Sequence, residues 1–180
     1  MIYVLRIDIG IIEVTIMEIR KATINDLAAI AELEAVCFPP AEAAKKEAFE
    51  SRLKVFADYF WLLFKDEKLI GMINGMVTDI PKLSDDMFED ATMHDENGAW
   101  LMIFGVATLP EYRKQGCASM IMKHVISDVK IQGRKGLVLT CKAHLVHFYE
   151  EFGFVSEGVS ASVHGGAVWY DMRLAFKKRE

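Results

Sequence analysis

Residues 99–108, AWLMIFGVAT, form an almost unbroken apolar run with little alternation. A strand of this kind is covered on both faces, so it calls for helices on each side of a sheet. PEYRKQGCAS, residues 110–119, follows at once and joins a proline, two adjacent cations, a Gln-Gly pair and three small residues. MIMKHVISDVK then reads as a helix to about Ile131. The chain thus runs from a buried strand, through a cationic hinge containing glycine, into a helix. That order points to a mixed α/β fold.

The rest of the chain extends this plan. MEIRKA is a strand candidate. TINDLAAIAELEAVCF carries Thr23 or Asn25 as a cap and Ile24, Leu27, Ile30, Ala31 and Leu33 at helical spacing, and Pro39-Pro40 ends it. AEAAKKEAFESRLKVF is predicted as a second helix. YFWLLFKDEKLIGMINGMVTD reads as a hairpin around KDEK, in which Gly71 and Gly75 signal a bulge or a close backbone approach. Residues 80–98 are polar and acidic without a clean period. A loop of that length in a compact domain is usually functional or mobile. GRKGLVLTCK gives a turn and a strand, and HLVHFYEEFGF gives a short helix stopped by Gly153. VSEGVS and AVWYDMRLAF are final strands with HGG as a turn between them. From Met17 the predicted order is β-α-α-β-β-β-α-β-α-β-β.

The leading segment, MIYVLRIDIGIIEVTI, lacks a basic start and a small-residue cleavage site, so it is a poor signal peptide. Two readings stand side by side: an upstream start ahead of a domain that begins at Met17, or an extra β-rich segment. Residues 1–16 are accordingly set apart as an extension, and 17–180 as a single domain. The chain of 180 residues is 52% hydrophobic, enough for a full core without disulfides. Cys37, Cys117 and Cys141 are odd in number and far apart, with no C-x-x-C and no His/Cys cluster at metal spacing. A reducing cytoplasm is the expected location and no metal is expected. A formal charge of −5 argues against a nucleic-acid surface. No apolar run is long enough to cross a bilayer.

The hinge has a chemistry of its own. A helix N-terminus presents unpaired N–H groups and the positive end of the helix dipole, and a loop that exposes several of them binds phosphate. Gly116 lets the backbone turn freely. Cys117, Ala118 and Ser119 are small enough not to block an anion, and Arg113 and Lys114 add charge. The G-x-x-x-x-G-K-S/T and G-x-G-x-x-G loops are absent. A phosphate cradle and a solvated turn both fit these residues alone.

VATLPEYRKQGCASMIMKHVI resembles the acetyl-CoA signature of the GNAT (Gcn5-related) N-acetyltransferases, Arg/Gln-x-x-Gly-x-Gly/Ala. Only the register Arg113-Lys114-Gln115-Gly116-Cys117-Ala118 places glycine and alanine correctly. About 30 residues on, CKAHLVHFYEEFGF resembles the later family motif, a short helix with F-Y-E-x-x-G-F. With the element order, the resemblance spans Met17 to about Phe176. It is closer to the arylalkylamine branch, which carries C-E-D-A-L-V-P-F-Y-E-R-F-G-F, and CFPPAEAAKKEAF resembles that branch's helix-linker over the amine pocket. One departure matters: the branch has two histidines on its central strand, where this chain has Met102 and Phe104. Neither can relay a proton.

The resemblance implies a GNAT-type, mostly antiparallel sheet of six to seven strands with helices on both faces and a splay between the two central strands. It implies direct acetyl transfer from acetyl-CoA to a primary amine of a small molecule, with no nucleic acid and no membrane as partner and with room for a homodimer. A peptide or protein acceptor, and a CoA-binding regulator without catalysis, are the alternatives. Tyr149 is implied as the acid for the leaving thiolate. Gly105, Val106, Ala107 and Thr108 would meet the pantetheine arm. Arg113, Lys114, Gln115, Gly116, Cys117, Ala118 and Ser119 would hold the pyrophosphate, and Lys142 takes the place of a cofactor-contacting asparagine. For the base, Glu34, His94, Asp95, Glu96, His147 and a water chain all remain open. The acidic stretch from Asp85 to Glu96 is either a solvated face or an attractor for a cationic amine.

Overall fold

The apolar run at 99–108 becomes a central strand of one sheet. The computed structural model describes residues 2–8 and 11–177. Strands β1 (Ile2–Asp8) and β2 (Ile11–Lys21) form an antiparallel pair, so the described part of the leading segment is strand, and β2 crosses Met17 without a break. Helices α1 (Leu27–Cys37) and α2 (Lys46–Phe56) follow, then the hairpin β3 (Phe60–Lys65) and β4 (Lys68–Thr78). A short α3 (Asp86–Glu89) precedes β5 (Trp100–Thr108) and the long α4 (Cys117–Ile131). The chain ends with β6 (Gly136–Cys141), α5 (Val146–Glu150), β7 (Val155–Val159) and β8 (Tyr170–Ala175).

The sheet order is β1-β2-β3-β4-β5-β6-β8-β7. The seven strands expected from Met17 onward are β2 to β8, and β1 adds an eighth at the edge. All neighbours are antiparallel except β5 and β6, which pair only through Trp100–Gly136, Leu101–Leu137 and Met102–Val138. Beyond Met102 the two strands no longer pair with each other and open a gap in the middle of the sheet. Helices cover both faces. A Cβ on Gly71 would point at Ile121 of α4, whereas one on Gly105 would point at Phe38 and Glu34 at the end of α1.

Local chemistry explains the elements. Asp66 and Glu67 take positive φ, 46° and 68°, and close β3 onto β4 in a two-residue turn. The register slips between Asn74 and Gly75, and a Cβ on Gly75 would stand 2.1 Å from the Met102 carbonyl oxygen. This is the bulge that the strand glycines signalled. Before α1, Asp26 accepts from the Thr23 N–H at 2.7 Å and holds the Arg20 guanidinium at 2.7 Å. The second helix starts later than expected. Residues 41–45 turn back on Pro39, and the Ala44 N–H donates to Glu34 Oε1 at 3.1 Å instead of to helix acceptors. The acidic stretch is partly ordered as α3 and a 3₁₀ turn at Ala91–Met93. Trp61 is fully buried, and its Nε1 donates to Asp128 Oδ2 at 2.8 Å. Asp128 also binds Lys21, so β2, β3 and α4 share one polar anchor.

Candidate active site

The hinge after β5 is built for close approach. Pro110–Tyr112 form one 3₁₀ turn, Arg113 is extended, and Lys114 and Gly116 take φ of 59° and 83°. Glycine adopts this left-handed conformation at no steric cost. A Cβ on Gly116 would meet nothing within 4 Å. Open space therefore lies before the first turn of α4, whose N–H groups have no intrahelical partner. It forms one end of a cleft of about 630 Å³ lined by Val106, Thr108, Arg113, Lys114, Gly116, Cys117, Ala118, Ser119 and Lys142.

Ala107 and Gln115 do not line this cleft. The Leu109 N–H donates to the Ile70 carbonyl at 2.9 Å, and alternate residues of an antiparallel strand turn their backbone groups the same way. Ala107 is therefore turned to β4, while Val106 and Thr108 are turned to the gap. Gln115 Nε2 folds back onto the Glu111 carbonyl at 2.6 Å. Arg113 Nε donates to the Thr108 carbonyl at 3.1 Å and pins the hinge to β5. Lys142 Nζ lies 2.7 Å from Glu42 Oε1, so its charge is matched within the chain.

The cleft narrows to a neck of about 90 Å³ where β5 and β6 part, and Tyr149 belongs to both. Gly153 ends the α5 turn, and the Phe154 N–H donates to the Tyr149 carbonyl at 3.3 Å. Phe148 and Phe154 pack edge-on against the Tyr149 ring at 5.1 and 5.8 Å. Burial drives the Tyr149 phenol well above its ordinary range, and the nearby Cys141 adds to this. Burial also pushes the Cys141 thiol to about 11. The phenol therefore stays protonated, a donor throughout the working pH range.

Beyond the neck lies a polar chamber of about 580 Å³. Glu34, Glu42, Phe88, Phe104, Gly105 and His164 line both. Glu34 Oε1 takes the Ala44 N–H, and its Oε2 is buried without a partner. Burial outweighs that bond and the nearby Arg52 charge, and raises the Glu34 carboxyl to about 6. Gly105 leaves room for two polar groups: a Cβ there would sit 3.2 Å from Asn74 Nδ2 and 4.0 Å from Glu34 Oε2. Arg52 is buried, its Nη2 donates to the Phe88 carbonyl at 2.8 Å, and its guanidinium lies 4.8 Å from the Phe104 ring centre. His164 Nε2 is 2.9 Å from the Glu42 carbonyl oxygen.

Of the side chains expected as a base, only Glu34 lines these cavities. His94 Nδ1 accepts from the Val77 N–H at 3.2 Å, and its ring stacks on Phe56. Asp95 Oδ1 accepts from the Asn97 N–H at 2.9 Å, and Glu96 accepts from the Tyr59 hydroxyl at 2.7 Å. The His147 side chain is 86% exposed on the outer side of α5. Met102 is buried, and Phe104 walls the neck and chamber.

The profile of the Acetyltransferase (GNAT) family matches residues 27–154, from the start of α1 to the end of the Tyr149 motif. The chain belongs to the GNAT acetyltransferase family. Serotonin N-acetyltransferase of Mesocricetus auratus is 26% identical over 115 residues, which is 63% of this chain and 54% of that protein. N-acetyltransferase 8 of Homo sapiens is 25% identical over 104 residues, 56% of this chain and 40% of that one. The chain thus spans about half the length of these relatives or less. The loading GNATL domain of CurA from Lyngbya majuscula superposes with a TM-score of 0.77 at 16% identity, covering 89% of this chain and 98% of that one. PaiA N-acetyltransferase from Thermoplasma acidophilum, in complex with coenzyme A, gives 0.65 at 19% identity, covering 89% and 99%.

This GNAT chain holds chamber residues that no motif marks. Arg52 lies in a helix-forming run, His164 in a turn, and Asn74 in an apolar strand. The one local signal was Asn74, a lone polar residue beside Gly75 in LIGMINGM. Among the described residues no group of three or more His, Cys, Asp or Glu is placed to hold a metal ion, and no helix is long and apolar enough to cross a membrane.

Proposed function

We propose that the chain is an acetyl-CoA-dependent N-acetyltransferase that moves the acetyl group directly to a primary amine of a small molecule. The position of Tyr149 carries this reading: it stands at the neck between a cleft suited to phosphate and a separate chamber that holds a buried carboxylate. The residues present fit acetyl-CoA. The space before Gly116 admits a phosphate to the α4 N–H groups, and the gap side of Val106 and Thr108 offers strand-like partners to an extended arm.

Bound acetyl-CoA would supply an acetyl thioester open to attack by an amine. The chain's residues handle the protons and the charge. An alkylamine with a pKa near 10 is only about one part in a thousand neutral at pH 7. Glu34 Oε2 attracts the ammonium, one proton of which passes to solvent to leave the neutral amine, and Glu34 accepts the second as nitrogen becomes an amide. The N–C bond forms and the C–S bond breaks. Tyr149 donates a hydrogen bond to the departing sulfur. A phenol held above 10 does not give its proton downhill to a thiolate whose acid titrates near 8.5, so this donor holds the charge rather than neutralising it. That narrows the role expected of Tyr149 from the sequence. Solvent at the open cleft provides the final proton.

The test is thiol release from acetyl-CoA across arylalkylamines, polyamines and peptides. Release with a small amine is expected. Tight CoA binding without release for any acceptor would point to a regulator, and release confined to peptides would point to a peptide acetyltransferase.

A further inference from the structure

Three residues that line the chamber beyond the neck each carry a buried polar atom without a partner among the described residues: Glu34 Oε2, Asn74 Oδ1 and Arg52 Nε. Two can only accept and one can only donate. Glu34 and Arg52 are each 5% exposed, and charged side chains are rarely buried to this degree unless they are paired. The two feel each other's charge, yet they form no ion pair with one another. The missing side chain at Gly105 leaves room beside Asn74 and Glu34, and Glu34 and Arg52 line the same chamber. Glu89, exposed at the outer wall, is the other carboxylate acting on Arg52, and it too forms no ion pair with it.

We propose that the acceptor is a zwitterion, a primary amine that also bears a carboxylate, bound with its ammonium on Glu34 and its carboxylate on Arg52. An ammonium supplies the donor that Glu34 Oε2 lacks. A carboxylate supplies the acceptor that Arg52 Nε lacks, since Nη2 already serves the Phe88 carbonyl. The order along the cavity is chemically consistent. Glu34 lines the neck and the chamber, whereas Arg52 lines the chamber alone. The amine therefore faces Tyr149 and the carboxylate points away. A plain amine would leave Arg52 Nε unsatisfied, and sites built around a polar contact reject analogues that lack it.

This inference takes its chemistry from the acetyl-transfer reading, but its binding test does not depend on it. The experiment compares phenylalanine with phenethylamine, and alanine with ethylamine, pairs that differ only by the carboxylate. Thiol release from acetyl-CoA gives kcat/KM, and calorimetry on the CoA-loaded protein gives affinity. The amino acid of each pair is expected to win by about tenfold or more. Arg52→Gln should abolish that preference and Arg52→Lys should keep part of it. Equal or better use of the amine, or a preference that survives Arg52→Gln, overturns the proposal. If no acceptor supports thiol release, the acetyl-transfer reading falls. Calorimetry then decides this one alone: stronger binding of the amino acid supports it, and equal or absent binding overturns it. Should Arg52→Gln not fold, the wild-type pairs and Arg52→Lys decide the matter by the same criteria.

Discussion

Glu42 Oε1 stands 2.7 Å from Lys142 Nζ, and the contact ties the α1–α2 connection to the end of β6. The Glu42 side chain is 10% exposed and the Lys142 side chain 34%. The Glu42 carbonyl also meets His164, so three distant segments close one wall of the neck. Lys142 also lines the cleft, so the contact links this wall to a residue expected to touch the cofactor.

Breaking this tie should loosen the acceptor side and spare the donor side. Glu42→Gln is expected to raise the acceptor KM about fivefold, the scale of a partly buried ion pair, with little change in acetyl-CoA affinity. Steady-state kinetics with each substrate varied in turn measures both. If Lys142→Met weakens acetyl-CoA instead, the lysine binds phosphate and the wall account is wrong.

Glu34 gives two pH signatures. As a base it must be ionised, so kcat/KM should fall as pH drops below about 6, and Glu34→Gln should lose that limb and about a hundredfold in rate. Its carboxyl titrates near 6 in the fold against 4.5 in the free side chain, so the folded state binds the proton more tightly. Stability from this group is fully present below 4.5 and is lost as pH rises through 6. The loss is about 2 kcal/mol, and Glu34→Gln should be more stable than wild type at pH 8 by that order. Urea unfolding of both proteins at pH 4.5 and 8 reads the difference, and parallel pH trends would refute the burial account.

Tyr149→Phe removes one oxygen from a site already filled by rings. Turnover should fall by about a hundredfold while acetyl-CoA affinity stays within a factor of two or so. Calorimetry and initial rates separate the two. Unchanged turnover would remove Tyr149 from the chemistry.

Gly75→Ala places a methyl 2.1 Å from the Met102 carbonyl oxygen, which is backbone and cannot step aside. A loss of about 3 kcal/mol is expected, as for other overpacked positions. The midpoint of urea unfolding reports it. A midpoint equal to that of wild type would mean that the β4–β5 approach is looser than described.

The strand, hinge and helix around Gly116 were legible because each signal is local: an apolar run, a glycine and small residues, then a helical period. Gly75 was legible for the same reason, and Tyr149 through its motif. The start of α2 was not, because Glu34 captures the Ala44 N–H from another helix. The chamber was largely invisible, since Glu34, Arg52, Asn74 and His164 come from α1, α2, β4 and a late turn. Nothing in the sequence separates Glu34 from His94 as a base. Packing does, by stacking His94 on Phe56 and setting Glu34, its Oε2 without a partner, in the wall of the neck and the chamber.

Only three rungs join β5 to β6, so the sheet is two panels meeting at a short seam. On the proposed reading, a pantetheine arm in the gap takes the place of a strand that the chain does not supply. Ligand that binds only the folded state raises stability with its concentration. The lifetime of this protein in a cell would then track the supply of its own donor, and starvation for acetyl-CoA would lower its abundance as well as its rate.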